Sequence, residues 1–254
     1  MKRILVLASI AVLAVAATSY AQLTNVIAGG PHDLSNGSAL RNTDATINGQ
    51  TCLFCHVPHG GNSSIPLWNR SPVTGAGYQL YSSTTTSSVA TVAGVTNGVS
   101  GACMSCHDGS IAVDVLLNVN GTPRPTGFVS FTRQGTAKAT YSNSGSGLSN
   151  LMVSGPPTLG SDLRNDHPVA ITYELARAQT PAEFVTQTLL SGTNRITVGT
   201  TNGLPLFAPP GATGTTANAT VECASCHNAH SNTLGNFLRK ANTGSAICLT
   251  CHIK

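Results

Sequence analysis

Cys52 and Cys55 are two thiols three residues apart; His56 follows the second directly, and His59 comes three residues further on. Two thiols and an adjacent imidazole in C-x-x-C-H form the pattern that attaches a c-type haem, the thiols bonding the vinyl groups and the imidazole taking one axial face of the iron. Residues three apart are neighbours on one face of a turn, whereas trans axial ligands approach from opposite faces of the macrocycle. His59 therefore cannot complete the iron that His56 holds. As a ligand it would serve another iron, so the stretch predicts a neighbouring cofactor.

The rest of the chain meets that expectation. All eight cysteines fall in four such motifs: Cys52, Cys55 and His56; Cys103, Cys106 and His107; Cys223, Cys226 and His227; Cys248, Cys251 and His252. Neither disulfides nor zinc knuckles require a histidine after the second cysteine four times, so the spacing points to four covalent haems c. Of the eight histidines, four are these proximal ligands, and His32, His59, His167 and His230 remain, one for each iron. The count predicts four six-coordinate bis-histidine irons and leaves methionine no axial role. With both faces filled, no iron is open to a substrate; electron transfer at low potential is expected, and no catalytic residue. The simplest assignment sends His59 to the haem of His107 and His230 to that of His252, with His32 and His167 serving the haems of His56 and His227 in either order.

The ligand order repeats. A lone histidine, a C-x-x-C-H-x-x-H and a C-x-x-C-H occur as His32, Cys52 to His59 and Cys103 to His107, and again as His167, Cys223 to His230 and Cys248 to His252. This divides the chain into a first two-haem module at 22–120, a Gly/Pro/Ser-rich connector at 121–160 and a second two-haem module at 161–254. Charged residues make up 9% and aromatics 5% of the chain, too little to suggest a strong core, so the expected fold is mostly irregular coil with a few short α-helices and minimal β, the haem faces supplying the missing apolar interior. Helices are predicted from Ser100 through Cys103 to about Asn118, and from the capping box at Thr180, Pro181, Ala182 and Glu183 to Gly192. A short strand is expected at Phe128 to Phe131. Trp68, Tyr78 and Tyr81 are expected to pack against haem.

Residues 1–21 read as an export signal: Lys2 and Arg3 precede an apolar run from Ile4 to Ala17, and Ser19, Tyr20 and Ala21 place cleavage before Gln22. No later stretch reads as a membrane span. Cleavage takes the formal charge from +4 to +2, and ionised haem propionates take it below zero. A clustered basic surface for nucleic acid is thereby excluded.

The export signal, four C-x-x-C-H motifs, paired C-x-x-C-H-x-x-H elements and full histidine supply resemble the extracellular multihaem c-type cytochromes of metal-reducing microbes, and are particularly similar to the filament-forming, or nanowire, four-haem members. The resemblance implies a chain wound round a row of stacked haems, self-association into a homopolymer, and exchange with other redox cytochromes and external acceptors such as ferric oxides. It also implies that an N-terminal histidine can ligate a haem in the adjacent subunit. His32 stands at that position, ligation within its own subunit being the other reading. A monomeric periplasmic or extracellular electron shuttle is the alternative function. A haem reductase is disfavoured, since no motif replaces its histidine by lysine.

Overall fold

The structure, a computed structural model, describes residues 27–36, 40–42, 47, 49–63, 65, 67–84, 90–119, 122–123, 131–133, 137–141, 151–190, 195–199 and 203–254. The export signal, half of the connector and residues 128–130 of the expected strand lie outside the described residues; Phe131 opens a strand, Phe131–Arg133, paired with Leu40–Asn42. Between short elements the chain runs as turns and extended coil, as its Gly and Pro content requires.

Two helices meet at Gly98. Helix α1, Val92–Asn97, is capped by Thr91, whose hydroxyl accepts from the Gly94 N–H at 3.0 Å. Helix α2, Val99–His107, follows at once, with Gly98 rather than Ser100 at its cap. The two turns approach so closely that a Cβ on Gly101 would lie 2.1 Å from the Thr96 carbonyl oxygen. The expected run to Asn118 is not realised. Asp108 turns its carboxylate onto the N–H and hydroxyl of Ser110, and Gly109 adopts φ +73°, which ends the helix at His107.

In the second half, helix α3, Tyr173–Gln179, is followed by a single 3-10 turn at Pro181–Glu183. The helix expected from Thr180 to Gly192 is corrected here: Phe184 is extended, and Gln187–Leu189 forms an outer strand of an antiparallel sheet in the order Leu204–Leu206, Ile196–Val198, Gln187–Leu189. Thr188 pairs with Thr197, and Thr197 with Pro205. The cap and proline start one turn, but the β-branched Val185, Thr186 and Thr188 suit the strand that Ile196–Val198 offers. A second ribbon pairs Ile171–Thr172 with Thr220–Val221.

The core is divided into small clusters. One joins Tyr173, Ile196, Val198, Leu206, Ala219 and Val221; another joins Ile47, Phe54, Leu116 and Val119. The third, Val73, Val95, Met104, Leu163 and Ala170, draws side chains from both halves of the sequence.

Arg70 is 0% exposed, the largest fully buried side chain among the described residues. Its Nη1 and Nη2 donate to the carbonyls of Val113 at 3.0 Å and Ala112 at 2.6 Å, while its Nε has no partner. Arg70→Met keeps the stem and strips both donors from buried carbonyls, so the haem-loaded protein is expected to lose about 3 kcal/mol in a denaturant titration. An unchanged midpoint would show that these carbonyls are satisfied without it.

Candidate haem sites

Each C-x-x-C-H is a single tight turn. The histidine N–H donates to the first cysteine's carbonyl at 2.8 Å for His56, 3.0 Å for His227 and 2.9 Å for His252. The first motif lies on a 3-10 turn at Thr51–Phe54, the third on the one-turn helix α4, Cys223–Cys226, and the fourth on a 3-10 turn at Cys248–Thr250. The second, expected near the start of a helix, forms the end of α2. In such a turn residues three and four apart share a face, which brings two thiols and an imidazole together.

Three motifs are backed in the same way. The carbonyl of the second cysteine accepts from Asn69, Arg239 and Val185 N–H, at 2.9 Å each, for Cys55, Cys226 and Cys251. These contacts form antiparallel bridges of His56 with Trp68, His227 with Leu238 and His252 with Phe184. His107 instead accepts at its carbonyl from Leu159 N–H at 2.8 Å. The backing segments share no sequence motif, so spacing could not have revealed them. Trp68, one of the aromatics singled out, stands edge-on to His56 at 5.5 Å and donates to Ser105 Oγ at 3.1 Å, tying the first motif to the helix of the second. Tyr78 donates to Asp108 at 2.8 Å, behind the second motif.

Four of the imidazoles are held as ligating histidines are. A ligating histidine commits one ring nitrogen to a carbonyl, which fixes the tautomer and leaves the other nitrogen's lone pair for the metal. Nδ1 of His107 lies 2.6 Å from the Pro157 carbonyl, that of His227 2.8 Å from Asn236, that of His167 3.0 Å from Pro168 and that of His32 3.3 Å from Ala229. Burial, and then the charge His107 would carry, holds His32 down to about 4, so it stays neutral; His107 and His56 are also lowered, chiefly by burial.

The rings then pair. His32 and His107 have centroids 6.2 Å apart with planes at 68°, His167 and His252 6.3 Å apart at 67°, and His56 and His230 6.0 Å apart at 15°. An imidazole nitrogen bonds a transition metal at about 2 Å, which puts two trans ring centres about 6 Å apart. His32, not His59, thus faces His107, and His167, not His230, faces His252. His59 is exposed, and among the described residues neither it nor His227 faces another imidazole at this spacing.

The cysteines fit the same cofactor. All eight are free thiols, and burial pushes Cys55 and Cys251 up to about 12. An open hollow beside the fourth motif is lined by Gly244, Ser245, Cys248, Leu249, His252 and Lys254. Thiols of different motifs also adjoin: Cys103 donates to Cys223, which raises the first and lowers the second, and Cys55 feels the charge of Cys106.

Glu222 is a site residue that spacing did not reveal. It is 2% exposed and precedes Cys223. Its carboxylate accepts from the N–H and hydroxyl of Ser100 and from Thr220 Oγ1 at 2.8 Å, its backbone N–H donates to Ser225 Oγ at 3.0 Å, and Ser100 Oγ accepts from Cys223 N–H at 3.1 Å. It thereby joins the first turns of α2 and α4, which carry the second and third motifs.

Among the described residues no helix is long and apolar enough to cross a membrane. No curated protein matches the chain. A family model, the doubled CXXCH motif, matches residues 216–254, the third and fourth motifs together. The match, with the turn geometry, indicates covalently bound haem c and suggests a multihaem c-type cytochrome.

Proposed function

We propose that the chain is an exported four-haem electron-transfer protein with two imidazoles on every iron, working as the subunit of an extracellular filament. The observation that carries the ligation is the three imidazole pairs at 6.0 to 6.3 Å. Bound haem supplies a reversible one-electron couple. Two imidazoles on each iron would keep small molecules from it, which favours low potentials, and electron transfer over reductase chemistry. Mass spectrometry should find four haems, and the reduced protein should not bind carbon monoxide. Stoichiometric binding would sink the reading.

Two observations favour assembly. His59 is exposed and lacks an in-chain partner at ligand spacing among the described residues, while Leu249 within the fourth motif and Ile253 just after it are 45% and 50% exposed. His59 is the imidazole free to reach a second copy, a role for which His32, facing His107, is less suited. His59→Ala is expected to keep four attached haems, to turn one iron in four high-spin, and to sediment as monomers. Filaments of wild-type length would exclude His59 as the link, and monomers in the wild type at all concentrations would favour a shuttle. Delivery to other redox cytochromes or ferric oxides completes the proposal.

A further inference from the structure

We propose that the two halves exchange an axial ligand: His230, three residues after the third proximal histidine, completes the iron attached at Cys52 and Cys55. This rests on the bis-histidine reading and adds to it the wiring of one site. His56 and His230 stand 174 positions apart in sequence, yet their rings lie 6.0 Å apart and 15° from parallel. The alternative partners are taken. His107 faces His32 and His252 faces His167, both at the spacing of trans ligands.

The surrounding contacts hold the exchange in place. His56 is braced by the bridge to Trp68, which places that ring edge-on to it. On the other side, Asn228 Oδ1 accepts from the His230 N–H at 3.2 Å, and the Asn228 N–H donates to the Phe237 carbonyl at 2.7 Å. Phe237 stacks on His32 at 4.0 Å, so the loop that delivers His230 to the first site also supports the distal ligand of the second. Because His227 and His230 share a short segment, the first and third sites become direct neighbours. The halves are then one coordination unit rather than two modules in series.

The test uses the full haem-loaded chain. His230→Ala opens one iron of four, which binds carbon monoxide when reduced. Hydrogen peroxide bleaches an open haem selectively, and mass spectrometry of haem peptides then reads which one was lost. The peptide of Cys52 and Cys55 is expected; loss from any other peptide overturns the exchange. Carbon monoxide binding by the wild type would instead sink the bis-histidine reading, so the two failures are distinct. His230→Met, which preserves six-coordination if the alanine variant does not mature, gives a second readout. Parallel imidazole planes split the iron d orbitals and give a rhombic paramagnetic resonance signal, whereas crossed planes leave them nearly degenerate and strongly anisotropic. His230→Met should remove one haem's worth of the rhombic signal; loss of an anisotropic one would place His230 in a crossed pair and overturn the proposal.

Discussion

With all eight cysteines replaced by alanine, so that no haem attaches, the chain is expected to remain largely unfolded. Its apolar interior is split into clusters of four to six buried side chains, and two of the three draw on segments far apart in sequence. Fully burying one such side chain contributes about 1.5 to 3 kcal/mol, while ordering each residue's backbone costs about 1 to 2 kcal/mol. The turns of the third and fourth motifs are one turn long and would not persist alone. Attached haem would add large apolar faces, and on the proposed wiring a second histidine ligand would close loops as long as that from His56 to His230. Far-UV circular dichroism in urea should show no cooperative transition for the alanine chain and a steep one for the loaded protein. A cooperative transition in both would mean that the polypeptide core suffices.

The cofactor chemistry was legible because it is local. A thiol, two intervening residues, a thiol and an imidazole fit one turn, and the same turn recurs at His56, His227 and His252. The preponderance of coil was legible too, from low charge, few aromatics and abundant glycine. Partner choice was not. His32 facing His107 and His230 facing His56 depend on contacts across the chain, which spacing along the sequence does not carry. Local signals also misled where tertiary pairing was stronger. Thr180 and Pro181 do open a turn, but the edge at Ile196–Val198 captures Gln187–Leu189 as strand. Ser100 looked like a helix cap and is instead spent on Glu222, 122 residues away.

Glu222→Ala is expected to cost on the order of 3 kcal/mol, comparable to breaking a buried charged network. The carboxylate accepts from Ser100 and Thr220, both buried, and the two Ser100 donors have no water to turn to. Losing it frees Ser100, whose hydroxyl also holds the Cys223 N–H, so the first turns of α2 and α4 lose their shared anchor. Glu222→Gln keeps the shape and an acceptor oxygen and should cost about 1 kcal/mol. The two variants separate packing from charge through pH. Burial raises the Glu222 pKa above its ordinary value despite the bonds from Ser100 and Thr220. A carboxyl whose folded pKa exceeds its unfolded one adds most stability below the unfolded value and loses that increment as pH rises through the folded value. The deficit of Glu222→Gln relative to wild type should therefore be greatest in acid and narrow as pH rises through that window, while Glu222→Ala stays deficient throughout because its donors remain unpaired. Guanidinium titrations of the haem-loaded variants across that range decide it, and a glutamine deficit that widens with rising pH would mean the carboxylate is stabilised as the anion.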